Sequence, residues 1–252
     1  MSFRDWLDKT LYPQEFARWG QELLRERVLD RIKPGMTVLD LGAGSGAVRQ
    51  MNFLGQGATI CGVDPDPRVA ENRFLDEARV GVGEDIPYDD QTFDLVLSDC
   101  LFEHLEDPAR VFAEVQRVLK PGGSWLVKAR NRRHYEPFFE RFSPVRAIQR
   151  LRDPESRGPR ACYRANTTEA IEGFARRSGL ELLRVDLFEG RPETLRGSPI
   201  TYLAGWAYEK FVNASPRFER YRAILVSELR RPQPVVSNRQ SSSRTYRPTA
   251  VA

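Results

Sequence analysis

Three aspartates stand at the ends of apolar runs, and three glycines follow the first of them. In VLDLGAGSGAV, residues 38–48, Asp40 precedes Gly42, Ala43, Gly44 and Gly46; Asp64 ends ATICGVD, with Pro65 next, and Asp85 lies in GEDIP before Ile86. Glycines directly after a strand and before a helix permit positive φ and close approach of backbone to a ligand. Read as G-x-G-x-x-A through Ala47, the loop also fits a dinucleotide-binding turn, with Asp64 about 20 residues on as the ribose acceptor. Asp40 separates the two readings. A carboxylate there is repulsive beside a pyrophosphate and attractive beside an ammonium or sulfonium, so the charge pattern favours a cationic ligand. Asp85 can take the exocyclic amine of an adenine while Ile86 packs on the ring. The three acids then outline amino-acid, ribose and adenine sites at successive strand ends, where doubly wound sheets bind such ligands.

Groups able to move a proton are few. The two histidines, His104 in LFEHLED and His134 in RNRRHYEP, each follow a run that reads as a strand, and either can act as a base near neutral pH. Packing is the competing role for His104, and Tyr135 is a further candidate beside His134. Glu103 reads as a cleft carboxylate or as a solvated acid at a helix start. Residues 129–160 carry nine arginines against four acids, a net +5, interleaved with Phe and Tyr. Arginines suit bidentate contacts with carboxylate or phosphate. Arg132 and Arg133, with Tyr135, therefore read as substrate contacts, the arginines for an anionic acceptor or as part of a solvated face. An RNA surface ranks third, because no nucleic-acid-binding module is evident.

These residues need elements to position them. Phe16, Trp19, Leu23, Leu24, Val28 and Ile32 recur at helical spacing before Lys33-Pro34-Gly35. Strand and helix patterns then alternate: TVLDL, a helix near 46–54, ATICGVD, a helix near 66–76, RVGVGED, FDLVLSD, a helix near 108–119 and SWLVKAR. Such alternation predicts a mostly parallel sheet covered on both faces. Asp107 as N-cap and Pro108 at the first helical position sign one helix. Asn166 with Glu169 reads as a capping box for another, which Gly179 stops. Residues 130–160 break the alternation with two short amphipathic pieces, an inserted helical cap. ELLRVDLF, a helical TYLAGWAYEKFVN and the strand YRAILVSEL complete the pattern.

A chain of 252 residues with 40% hydrophobic content can bury one full core. One principal domain is expected over residues 1–231, with a donor-binding core at 14–130 and cap or substrate elements at 130–160 and 197–215. The formal charge of +4 resides in the end of the chain, since the five arginines of residues 230–252 bring the remainder to −1. Residues 232–252, rich in Pro, Ser and Arg, read as a disordered tail. The charged start MSFRDWLDKT shows neither a signal peptide nor a spanning helix, so no membrane insertion and a cytoplasmic location are expected. Cys61, Cys100 and Cys162 lack paired spacing and read as free thiols, with no metal site.

In the order VLDLGAGSG, GVDPDP, GEDIPYDDQTFDLVLSDCLFEHLEDP and VQRVLKPGG, residues 14–130 resemble the class I methyltransferases that use S-adenosylmethionine, in particular the small-molecule type. The resemblance implies that Asp40, Gly42, Gly44 and Gly46 face the methionine part, that Asp64 binds the ribose hydroxyls, and that Asp85 and Ile86 hold adenine. It places Asp99 and Cys100 beside the sulfonium. It implies a Rossmann-like α/β fold, doubly wound on a seven-stranded sheet whose last strand, YRAILVSEL, is antiparallel. The expected function is methyl transfer to an O or N atom of a small, sugar-containing or anionic acceptor. RNA methylation and a non-catalytic partner protein are the rivals; the intact acids speak against the latter.

Overall fold

The computed structural model describes residues 3–12, 19–137 and 161–234. Its strands are β1 (Thr37–Leu41), β2 (Thr59–Asp64), β3 (Glu77–Val80), β4 (Phe93–Asp99), β5 (Leu119–Arg130), β6 (Glu181–Phe188) and β7 (Ile224–Arg230). They form one sheet in the order β3-β2-β1-β4-β5-β7-β6. The pairs from β3 across to β5 are parallel, and β7 lies antiparallel between β5 and β6. β6 therefore points the same way as β5, and its C-terminal end reaches the same edge of the sheet.

Five α-helices accompany the sheet: α1 (Phe3–Leu11), α2 (Trp19–Arg31), α3 (Pro108–Val118), α4 (Thr168–Ser178) and α5 (Pro199–Asn213). α3 and α4 cover one face, where Val111, Phe112, Val115 and Ile171 join Leu39, Val96, Trp125 and Val127 in the main core. Phe102, Phe112 and Trp125 pack there with ring centroids 4.9 to 5.5 Å apart. Leu24 and Val28 of α2 cover the other face against Val38, Ile60, Leu95, Leu97 and Leu126. Both faces of the central strands are thus removed from water, which accounts for the continuous apolar runs of β1 and β4. A third cluster joins α1 to α5 through Leu7, Tyr12 and Tyr202. Asp8, fully buried in it, receives the Tyr202 hydroxyl at 2.6 Å and pairs with Arg196 and Arg191.

The expected strands and the helices at 108–119 and 168–178 form, with Asp107 accepting the Arg110 N–H at one N-terminus and Gly179 at φ 79° closing the other helix. Several expectations are corrected. The helices read near 46–54 and 66–76 are single 3₁₀ turns at Arg49–Met51 and Pro67–Glu71. Gly46, Gly55 and Gly57 all take positive φ around the first. Arg25 of α2 donates to the Gln50 and Asn52 carbonyls, which a longer helix would have used internally. The N-cap of α4 is Thr167, whose hydroxyl accepts from Ala170; Asn166 is buried and instead donates to the Arg130 carbonyl. RVGVGED contributes to β3 only as far as Val80, and Val82 with Asp85 makes an isolated bridge. α1 precedes the first helix anticipated. No helix among the described residues is long and apolar enough to cross a membrane. Residues 138–160, the bulk of the expected cap, and 235–252, most of the expected tail, lie outside the described residues.

Candidate functional site

The glycine loop leaves β1 with Gly42, Gly44 and Gly46 at φ 90°, 54° and 79°. A Cβ on Gly46 would lie 2.5 Å from Asn72 Oδ1, so both the backbone angle and the space demand glycine there. Asn72 donates to the carbonyls of Ala43 and Gly44 at 3.0 and 3.2 Å and clamps the loop from the far side. Asp64, at the end of β2, accepts from the Gly44 N–H at 2.9 Å and from the Asp66 N–H at 2.8 Å. A carboxylate braced in this way keeps lone pairs for further donors such as hydroxyls.

Asp40 is 4% exposed, and its Oδ1 has no hydrogen-bond partner among the described residues. Burial, then the like charges of Asp99 and Asp64, push its carboxyl up to about 8. A buried anion without a counter-charge is costly, and a cation delivered to the loop relieves that cost. The chemistry of these donors and acceptors fits S-adenosylmethionine, with its ammonium, sulfonium and ribose hydroxyls. Asp85 is exposed beyond its bridge to Val82, and Pro65 is exposed after β2. Ile86, 2% exposed, packs into the main core, and its N–H donates to Glu114.

One strand over, Asp99 at the end of β4 is matched: Lys128 Nζ lies 2.7 Å from its Oδ1 and also donates to the Gly20 carbonyl at 3.1 Å. Cys100 follows at φ 56°, a left-handed conformation that costs a residue with a Cβ about 1 to 3 kcal/mol. Burial above all, then the charges of Glu103 and Asp99, hold its thiol well above the usual range.

Beyond Cys100 a cavity of about 180 Å³ opens, walled by Lys128 of β5, by His134, Tyr135 and Glu136 after β5, and by Glu189 and Thr194 after β6. The register explains the meeting: Phe188 of β6 and Arg130 of β5 both face Ile224 of β7. The next residue of β6 thus emerges beside the segment that follows β5. His134, 3% exposed, places Nε2 3.3 Å from Glu189 Oε2, while its Nδ1 takes the Glu136 N–H at 3.4 Å. Glu136 accepts the Thr194 hydroxyl at 2.8 Å. The Tyr135 ring lies 4.0 Å from His134 and 4.9 Å from Tyr208, the latter edge to face. Burial leads the causes that raise the Glu189 carboxyl, opposed by His134.

The structure brings Asp40, the glycines and Asp64 together around the loop after β1, and Cys100, His134 and Tyr135 together in the lining of the cavity. His104 is exposed and does not line the cavity. Arg132 and Arg133 are exposed and do not line it either; Arg133 pairs with Glu169 at 2.9 Å on the surface. Glu103 is neither solvated nor in the cavity. It is 3% exposed, takes the Arg130 N–H at 2.6 Å, and burial pushes its carboxyl up to about 7. Sequence reasoning missed Asn72 and Glu189. For Glu189 a signal existed, an acid directly after the strand ELLRVDLF; for Asn72 the loop contact appears only in the fold.

Comparison with known proteins bears on the family and the fold. Residues 39–127 match the family described as methyltransferase domain. An uncharacterized methyltransferase of Mycobacterium tuberculosis is 41% identical over 116 residues, 44% of this chain and 43% of that protein. A glycine/sarcosine/dimethylglycine N-methyltransferase of Actinopolyspora halophila is 35% identical over 126 residues, 45% of this chain and 22% of that protein. The chain thus spans less than half the length of these relatives. The solved structure of Haemonchus contortus phosphoethanolamine N-methyltransferase 2 with S-adenosyl-L-methionine superposes at a TM-score of 0.54 with 21% identity, over 92% of this chain and 60% of that one, a likeness of fold. With the sheet order, the orphan Asp40 and the clamped glycine loop, this match shows that residues 39–127 carry the methyltransferase domain of the class I, S-adenosylmethionine-dependent family.

Proposed function

We propose that the protein transfers a methyl group from S-adenosylmethionine to an O or N atom of a small molecule held in the cavity beyond Cys100. The observation that carries this reading is that Cys100, directly after Asp99 of β4, lines a cavity with room for an acceptor, while on the neighbouring β1 the buried Asp40 carboxyl keeps an oxygen without a partner among the described residues. S-adenosylmethionine, when bound, supplies an electrophilic methyl group. The protein's share is orientation, because in-line displacement asks mainly that two molecules meet in one geometry, an effect of about 7 to 11 kcal/mol. Asp40 matches the donor's positive charge, Asp64 and the Gly42–Gly46 backbone hold its polar groups, and Cys100 with Lys128 lines the acceptor cavity. An N-methyltransferase among the relatives is in keeping with a small acceptor. An anionic acceptor bound through Arg132 and Arg133 draws no support from their exposed positions.

Titration calorimetry with S-adenosylmethionine and its demethylated product tests the donor half. Both are expected to bind the native protein, and Asp64→Ala is expected to weaken them by about 1 to 3 kcal/mol through loss of hydrogen bonds to a charged group. Tight binding of a nicotinamide dinucleotide without donor binding overturns the proposal.

A further inference from the structure

We infer that the cavity receives an amino group, and that Glu189 accepts the proton this amine loses before it attacks the methyl. The inference rests on the donor assignment above. Glu189 Oε2 is buried, lacks a hydrogen bond of good geometry among the described residues, and faces the cavity. His134, nominated above as a base, is a positioning residue: its Nδ1 takes the Glu136 N–H, and its Nε2 lies 3.3 Å from Glu189 Oε2.

The chemistry of the wall selects among acceptors. Lys128 is committed to Asp99, and Arg191 to Asp8 and Glu193. Neither pairs with Glu189; the basic group beside it is the His134 imidazole at 3.3 Å, which matches its charge only when protonated. A hydroxyl could donate to Glu189 but would leave its charge unmatched, and a nearby carboxylate opposes formation of an alkoxide. An ammonium does both jobs, and the Tyr135 ring, on the same wall, is of the kind that attracts a cation. The proton moves from R–NH3⁺ to the Glu189 carboxylate. The freed nitrogen lone pair then forms the C–N bond as the C–S bond breaks, with its electron pair left on sulfur. The product is R–NH2⁺–CH3 and a neutral sulfide, with the amine's proton left on the Glu189 carboxyl.

The test uses the full chain in two arms. In the first, formation of the demethylated donor is followed with ethanolamine and benzylamine against ethylene glycol and benzyl alcohol. The amines are expected to turn over and the alcohols not. Glu189→Gln is expected to lower kcat/KM for the amine about 100-fold while donor affinity stays within threefold. In the second arm, tetramethylammonium is titrated into the protein saturated with demethylated donor. Binding is expected to weaken about tenfold in Glu189→Gln and in Tyr135→Leu but to survive in Tyr135→Phe, which keeps the ring. Turnover of the alcohols alone, or tetramethylammonium binding that is absent or unchanged in these variants, overturns the inference and leaves the donor assignment standing. Loss of donor binding in the native protein overturns the donor assignment instead.

Discussion

Asp40 and Asp99 end neighbouring strands, yet their charges are handled in opposite ways. Asp40 is buried with an oxygen unpartnered and its carboxyl raised, whereas Asp99 is locked to Lys128. The region around Asp40 waits for a cation from outside. The region around Asp99 has its cation built in, and that ion pair forms part of a wall. The two regions also differ in sequence span. The donor side draws on residues 40 to 72, while the cavity gathers Gly20, Cys100, Lys128, His134, Glu189 and Ala223 from across the chain. A site that must bind one common molecule can be local, whereas a pocket shaped for a particular acceptor is assembled from loops at the ends of distant strands.

The strongest blow to this contrast is expected from Asp8→Ala. It removes the buried carboxylate shared by Arg191, Arg196 and Tyr202 and leaves both arginines with the exposed Glu193 in place of a buried counter-charge. Denaturant unfolding should show a loss of about 3 kcal/mol. Because Arg191 lines the cavity, acceptor KM should rise while donor affinity, measured where the variant is folded, stays within a few-fold. An equal fall in donor affinity would mean that the two regions are one unit.

A smaller effect sharpens the same contrast through pH. With a folded value of about 8 against an ordinary 3.8, Asp40 holds its proton in the ligand-free protein at pH 7, and a cationic donor expels it. Donor binding at pH 7 should therefore release close to one proton, read by calorimetry in buffers of different ionisation enthalpy. Between pH 6 and 7.5 affinity should rise by up to about tenfold per unit. Asp40→Asn should abolish the release. The native state binds more protons here than the unfolded chain, so ligand-free stability falls as pH rises from the ordinary value toward 8. Asp40→Asn should flatten that decline.

The smallest effect is assigned to Arg132→Ala with Arg133→Ala. Exposed pairs such as Arg133–Glu169 contribute little, so stability should change by no more than about 0.5 kcal/mol and acceptor KM should hold. A several-fold rise in KM would restore these arginines to the acceptor site.

Legibility followed the range of the interactions. β1, β2 and β4 are legible because burial on both faces demands unbroken apolar runs, and the glycine loop is legible because positive φ restricts residue type at three positions within five residues. The turn at Arg49–Met51 defeated the helical pattern because Arg25 takes up the Gln50 and Asn52 carbonyls from a distance, and the turn at Pro67–Glu71 ends at Asn72, whose side chain is held by the glycine loop instead of continuing a helix. His134 was legible as a polar group after a strand, but its role was not, since that depends on Glu189, whose position is set by the register of β6 against β7.

The amino-acid order by itself determined the sheet's alternation, the donor loop and the acids beside it, because each follows from contacts or conformational limits within a short stretch of chain. Only the tertiary structure decided that Asp40 is orphaned while Asp99 is paired, that Arg132 and Arg133 lie outside the cavity, and that Glu189 lies within it. The physical reason is that matching of charge, burial and hydrogen bonding are properties of neighbours in space, and in this sheet those neighbours come from strands as far apart in sequence as β4 and β6.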